Sequence, residues 1–389
     1  MYFDIGITFS IAPATFTDSP YSSIPTMTTN NFIRMADKTS QIYLDGCSLF
    51  TTLTGCRFTK GALILDNKIQ FKSNAISDLA TSFTTPVKFI NSAPTGSTPY
   101  SVSWSPNGRF VAVVNEDSNT LQIFSFYASG YPNLIGSAST GIQPFSVAWS
   151  PDGRFVAVAN ASSFSVQVFG FSGYGNPVAI GSTAISANVR SVSWSPDGRF
   201  IAAAAQASLY TNFLQIFSFS GYGNPIPVGS VNTGTTPNSV SWAPDGRFVA
   251  VANVSSNTVQ IFSFTGSGNP VLCGFADTGE YPHSVKWSPD GRFVAVVNYS
   301  ANTLQVFRFW GFGNPILVGS VAIGWARTVD WSPDGRYIAV ANWGNYTLQI
   351  FSFLGFGNPV LLGTVNTGKN PTAVSWSSDG RFIAVVNSG

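Results

Sequence analysis

Residues 238–275 read NSVSWAPDGRFVAVANVSSNTVQIFSFTGSGNPVLCGF. They divide into four short runs, NSVSW, RFVAVAN, TVQIFSF and PVLCGF, each rich in β-branched or aromatic residues and each ended by turn residues. No 3.6-residue apolar period runs through the stretch, so it is not helical.

The same pattern recurs along the chain. Its tryptophan stands at Trp104, Trp149, Trp194, Trp242, Trp287, Trp331 and Trp376, in steps of 45, 45, 48, 45, 44 and 45 residues. A fixed period in that range marks a propeller or a solenoid, and four strands per unit select the propeller. Seven tryptophans predict seven four-stranded blades in an all-β fold. The recurring letters have physical reasons. Pro-Asp-Gly-Arg is a hairpin turn in which Gly takes the positive φ. The Val/Ala alternation of RFVAVAN suits a strand buried on both faces. The tryptophan fills the space between blades. A glutamine recurs in the third run (Gln122, Gln167, Gln215, Gln260, Gln305, Gln349), and a buried amide must be hydrogen-bonded.

These units resemble the seven-bladed propellers of the YVTN and WD-repeat-like type, over about residues 86–389. The Gly-His pair and closing Trp-Asp of WD repeats proper are missing, so that family's hydrogen-bonded tetrad is not implied here. Lactonases built on a similar propeller are a second resemblance. It matches no motif residue by residue and implies no catalytic positions.

The chain stops at RFIAVVNSG, residues 381–389, two strands into the seventh unit. An open sheet edge invites aggregation, so N-terminal strands are expected to complete that blade and close the ring. Residues 84–104 align with 223–242 and supply the fourth strand; NKIQFKS (67–73) or LATSF (79–83) supplies the third. This places a seven-bladed β-propeller at residues 66–389 and a small N-terminal extension at residues 1–65, β-rich in its second half.

Composition narrows the function. Charged residues are 9% of 389 and the formal charge is +2, which speaks against a nucleic-acid surface. No apolar run approaches the length of a membrane span. The opening MYFDIGITFSIAPATFTDSP lacks a basic n-region and reads as a poor secretory signal. Low charge and abundant Ser, Thr and Asn lean the other way, towards an extracellular or surface setting. One His (His283) and three Cys (Cys47, Cys56, Cys273) give no metal-ligand spacing, so no metal or cofactor is expected; Cys47 and Cys56 either pair or stay reduced. The repeated arginines, such as Arg154, Arg199 and Arg292, mostly share a turn with Asp and read as local pairs worth little each. Asn-X-Ser/Thr sequons begin at Asn160, Asn253, Asn298 and Asn345.

The repeats disagree with one another at few positions. The residue leading into the innermost strand reads Tyr100, Phe145, Arg190, Asn238, His283, Arg327 and Thr372, between neighbours that hardly change. The second position of the turn after the second strand varies too, as Glu116, Ala161, Val254, Tyr299, Trp343 and Ser388. Trp325 belongs to the same face, and the third unit expands its turn to AQASLYTNF, residues 205–213. Binding residues concentrate on loops, and aromatics and Arg dominate binding energy. The sequence therefore suggests a monomeric, non-enzymatic interaction scaffold that recognises a peptide, protein or glycan through this face. The candidate contacts are Tyr100, Phe145, Arg190, Asn238, His283, Arg327, Thr372, Tyr299, Trp343 and Trp325. The alternatives are a lactonase-like or other hydrolase using the Arg190/His283/Arg327 mouth, and a structural or surface protein.

Overall fold

The computed structural model describes residues 41–44, 47–50, 56–59, 62–65, 87–126, 131–207 and 212–389. The chain divides into two units, Met1–Pro86 and Val87–Gly389. In the first, Gln41–Leu44 pairs antiparallel with Cys47–Phe50, and Cys56–Thr59 with Ala62–Leu65.

The second unit is the propeller. Six four-stranded antiparallel sheets follow one another, blades 1 to 6, and a two-stranded sheet, Pro371–Trp376 with Ile383–Asn387, forms blade 7. Blade 4 is typical: Pro237–Trp242 innermost, then Phe248–Asn253, Thr258–Ser263 and the outer Val271–Asp277. Among the described residues no helix is long and apolar enough to cross a membrane. The second strands are buried at nearly every position, as their Val/Ala content predicts. The Pro-Asp-Gly turns form as expected, with Gly246 at φ 74° and its N–H donating to Ala243 O at 3.0 Å.

Blades are joined by side chains. Between blades 1 and 2, Phe110 lies 5.2 Å from Phe171, which meets Trp149 edge-on at 5.9 Å. Equivalent clusters are Phe200/Trp242/Phe264 and Phe293/Trp331/Phe353. The innermost strands fan apart too far for a continuous ladder, and serine hydroxyls bridge them. Ser101 Oγ accepts from Val147 N (3.2 Å), Ser146 Oγ from Val192 N (3.2 Å) and Ser239 Oγ from Val285 N (3.1 Å). Outside, the Asn of each Gly-Asn-Pro turn reaches back to the preceding blade. Asn269 Oδ1 accepts from Ser230 N at 3.0 Å, and Asn314 Oδ1 from Phe275 N at 3.1 Å. That approach needs a glycine opposite: a Cβ at Gly229 would stand 2.0 Å from Gly268 O.

The ring closes between blades 7 and 1. Trp104 N donates to Ser375 Oγ (3.2 Å), Thr372 Oγ1 donates to Pro99 O (2.8 Å), and Phe382 packs on Phe126 beside Trp104. Of the N-terminal residues expected to complete the seventh blade, 87–98 are described. These residues carry no strand, but they end as the outer strands of other blades do, with Gly96 N donating to Gln122 Oε1 at 2.9 Å as Gly234 N does to Gln260 Oε1. The third-strand candidates, residues 67–73 and 79–83, lie outside the described residues.

The recurring glutamine has the expected partners. Gln260 Oε1 accepts from Asn253 Nδ2 (3.0 Å) and from Gly234 N (2.8 Å), tying the second strand's buried Asn to the incoming loop. In blade 3, where Ala205 replaces that Asn, Gln215 Nε2 donates instead to Gly229 O at 2.8 Å.

Two outcomes are expected. Gly229→Ala destabilises the propeller by about 2–3 kcal/mol through the clash with Gly268 O, whereas Asn269→Ala costs about 1 kcal/mol; urea unfolding of both variants measures the order. Asn160, Asn253 and Asn298 are fully buried and Asn345 is exposed. Folded protein from a glycosylating host therefore carries a glycan at Asn345 alone among the four, and peptide mapping that finds one at Asn253 contradicts the buried strand ends.

Candidate functional site

The innermost strands enclose a channel of about 180 Å³ whose wall is largely hydroxyl, with Ser101, Ser146, Ser191, Ser239, Ser284 and Thr328 facing it. At one end stand Tyr100, Phe145, Arg190, Asn238, His283 and Thr372, with Arg327 between the last two. One residue from each of seven blades thus meets at a single mouth. The period places them there: each stands four residues before its unit's tryptophan.

Their chemistry is unequal. Thr372 is buried and its hydroxyl is committed to Pro99 O, so this candidate contact belongs to ring closure. Asn238 Nδ2 donates to His283 O at 2.8 Å and braces the neighbouring strand. Tyr100 and Phe145 stack at 4.6 Å, flanked by two cations: the Arg190 guanidinium lies 5.0 Å from the Phe145 ring and that of Arg327 6.0 Å from Tyr100. Arg327 also lies 5.3 Å from the Trp343 ring. Stacking on aromatics satisfies the planes of the guanidiniums but not their N–H groups. Nε of both Arg190 and Arg327 is buried without a hydrogen-bond acceptor, and neither forms an ion pair among the described residues.

His283 is ordered by the backbone. Its Nδ1 lies 2.8 Å from Arg327 O, and since a carbonyl only accepts, Nδ1 carries the proton and Nε2 is the basic nitrogen. The ring borders the channel and is half-buried. Burial first, then the positive charges of Arg327 and Arg190, bring its pKa down to about 4, against the opposing hydrogen bond to Arg327 O. His283 is neutral at physiological pH.

Glu116 completes the mouth. It follows the second strand of blade 1, and Gln143 Nε2 donates to its Oε1 at 3.4 Å. Burial, and next the Asp117 charge, raise its pKa, against the pull of Arg327 and Arg190. Burial likewise raises that of the Tyr100 phenol despite the same two arginines. Among the residues at this turn position Glu116 is the single carboxylate, a signal that was present in the variable series and was not read as part of the His283 mouth. Tyr299, Trp343 and Trp325 lie together on the blade 5 and 6 side, with Tyr299 6.4 Å from each of the other two rings. In the expanded turn of blade 3, residues 208–211 lie outside the described residues.

On the opposite face the Asp/Arg turns are self-contained. Partial burial disfavours the charge of Asp152, Asp197, Asp290 and Asp379. Hydrogen bonds from the turn serine and from the arginine's backbone and side chain outweigh it and hold each carboxyl below its ordinary value. Among the described residues no cluster of three or more His, Cys, Asp or Glu suits a metal ion.

The chain resembles several solved propellers. A periplasmic gluconolactonase, PpgL, from Pseudomonas aeruginosa is 20% identical at a TM-score of 0.63, covering 92% of this chain and 99% of that one. A putative 6-phosphogluconolactonase from Bacteroides fragilis NCTC 9343 is 19% identical at 0.63, covering 74% and 87%. Kuenenia stuttgartiensis hydrazine synthase is 19% identical at 0.62, covering 77% and 96%. At such identities the likeness fixes the fold alone. Among the curated proteins none matches the chain. The family model "Lactonase, 7-bladed beta-propeller" matches residues 65–177, 186–271 and 243–311, more than half of the chain. This finding overturns the expectation of a non-enzymatic scaffold for a peptide, protein or glycan and favours the lactonase-like alternative. Of the YVTN and WD-repeat-like resemblance, the propeller itself is retained. By its sequence, and with the blades to match, the chain belongs to the lactonase family of seven-bladed β-propellers.

Proposed function

We propose that the protein hydrolyses a lactone at the Arg190/His283/Arg327 mouth. The observation that carries this reading is the pair of guanidiniums, buried at Nε and lacking acceptors, on either side of a neutral histidine whose basic nitrogen is Nε2. Family membership and the lactonase neighbours support it.

Each step has a residue suited to it. Water adds to the lactone carbonyl carbon while His283 Nε2 takes its proton. Arg190 and Arg327 stabilise the oxyanion that forms, and any anionic substituent on the ring, because arginine matches carboxylate and phosphate geometry. The ring C–O bond then breaks and the leaving alkoxide takes a proton from the imidazolium, giving a hydroxy acid. Glu116, whose raised pKa keeps it more readily protonated than an ordinary carboxyl, is a second proton donor at the same mouth. The narrow channel keeps the reacting groups away from bulk water.

The histidine is a weak base in the empty site, first because it is buried and next because two positive charges bear on it. An anionic ligand cancels those charges and raises its pKa towards the operating range, so that substrate activates its own base.

Hydrolysis of gluconolactone and 6-phosphogluconolactone, followed by acid release, tests the reading. Arg190→Ala and Arg327→Ala each lower kcat/KM roughly 10²-fold or more, with the larger loss on the phosphorylated ring, and His283→Gln lowers kcat at least as much. An inert wild-type protein, or a His283→Gln enzyme as active as wild type, rejects it. The pH profile gives a second check. The acid limb of kcat/KM reports free enzyme and falls near pH 4, where His283 becomes protonated, while the limb of kcat lies higher because bound anion has neutralised the arginines. A kcat/KM limb near 6.5, the ordinary histidine value, would instead show that burial and the two arginines do not depress His283 in the free enzyme.

A further inference from the structure

The mouth has two unlike sides. Beyond the inner ring, blades 1 and 2 contribute Glu116 and Gln143, which are polar. Blades 5 and 6 contribute Tyr281, Tyr299, Trp325 and Trp343. These rings form one contiguous set: Tyr281 lies 6.0 Å from Tyr299, and Tyr299 lies 6.4 Å from both Trp325 and Trp343. The set abuts the proposed site through His283, 6.2 Å from Tyr299, and through Arg327 over Trp343.

A departure from the repeat builds this ledge. Between outer and innermost strands, blade 5 has four residues (278–281) and blade 6 only three (323–325). Thr98, Gln143, Thr236, Tyr281 and Asn370, the residues at this point in five other blades, have positive φ; Trp325 does not share it. Its indole instead lies against Gly344, where a Cβ would come within 2.6 Å of Cε3. The matching positions elsewhere are Asp117, Ser162, Ser255 and Ser300 and, in blade 7, Gly389 beside Asn370, so blades 6 and 7 clear the space and only blade 6 fills it with an aromatic ring. Trp343 N donates to Trp325 O at 2.7 Å and fixes the loop from behind. Trp325 is nevertheless 52% exposed and Tyr281 46% exposed. A large aromatic held from behind and open in front is a stacking platform and not a core residue.

Its surroundings indicate what stacks there. An alkyl or aryl group favours enclosure, whereas this ledge is half open and bordered by exposed Glu280, Ser300 and Asn345. A pyranose lays its C–H face on an aromatic plane and keeps its hydroxyls towards polar groups and water. The cavity, about 180 Å³, is filled by one sugar-sized ring, so the ledge serves what lies beyond that ring. We propose that Tyr281 and Trp325 form a subsite for a second sugar ring, and that the substrate is the lactone of a glycosylated aldonic acid. The inference rests on the lactonase reading of the adjoining mouth.

Two product-like probes isolate the second ring: gluconate and 4-O-glucosyl-gluconate, which share the carboxylate and differ by one pyranose. In calorimetric titrations the wild-type protein binds the disaccharide acid about tenfold more tightly, the scale of one aromatic stacking contact. Trp325→Ala and Tyr281→Ala, checked for an unaltered melting temperature, each bring the ratio of affinities close to one. Equal affinities in the wild type, absence of binding to either acid, or a preference that survives both substitutions overturns the subsite. Hydrolysis of the two parent lactones separates the readings. If neither is cleaved while the binding preference persists, the lactonase reading fails and the subsite stands. If both are cleaved and the acids bind equally, the subsite fails alone.

Discussion

The structure depends on the junction between neighbouring blades. Adjacent innermost strands diverge, so the backbone cannot continue its ladder around the ring. The join is left to an aromatic cluster, a serine hydroxyl inside and an asparagine amide outside. Each piece is individually modest, of the order of 1 kcal/mol for a hydrogen bond and several for a buried aromatic. Repeated around a closed ring they become cooperative, because no junction opens without straining the rest. The contacts of Phe382 with Phe126 and of Thr372 with Pro99 are therefore what turns an array into a ring. That closure converts seven equivalent positions, far apart in the chain, into the rim of one mouth.

Once the scaffold has used its polar atoms, what remains unused defines the site. The second strand's Asn and the third strand's Gln satisfy each other and the incoming loop, as Asn253, Gln260 and Gly234 do. Serine hydroxyls of the channel wall accept from the next blade. The turn arginines of the far face are spent on their own aspartates, such as Arg154 on Asp152 at 2.6 Å. Arg190 and Arg327 have no such partner, and their charge is instead felt by His283, Glu116 and Tyr100 together. Two uncompensated cations in a narrow, partly desolvated channel are costly without a ligand, and that cost is the driving force for taking up an anion.

The fold was largely legible because its determinants are local and repeated. Trp, Pro-Asp-Gly, the small-residue second strand and the recurring Gln each declare themselves within one unit, and comparing units located the mouth positions by their variation. What a repeat cannot declare is who faces whom. Arg190, His283 and Arg327 could be grouped by their shared place in the unit, but that Arg327 O holds His283 Nδ1 and that both guanidiniums lie over aromatic rings emerges only in the closed ring. Glu116 was visible as a variable residue, yet nothing in the chain links it to His283. Variation at the mouth also carried no sign of whether the rim binds or reacts, and it suggested binding where family membership points to hydrolysis. The partner of the Gly-Asn-Pro asparagine was hidden for the same reason, since it lies in the preceding blade.

Departure from the repeat is not by itself a mark of function, and blades 5 and 6 show why. Lys286 and Asp330 replace the small residue of the innermost strand and bring charge into the channel at the end away from His283. Asp330 accepts from Trp376 N at 2.8 Å, as Ser193 Oγ does from Trp242 N at 3.0 Å, and Lys286 lies 3.6 Å from its other oxygen. The pair takes the place of the serine bridge at the junction between blades 6 and 7. Both carboxylate oxygens of Asp330 are accounted for by the scaffold. The arginines of the mouth and the open faces of Tyr281 and Trp325 are not, and hydrogen-bond and surface accounting thus separates reinforcement from recognition where variation alone does not.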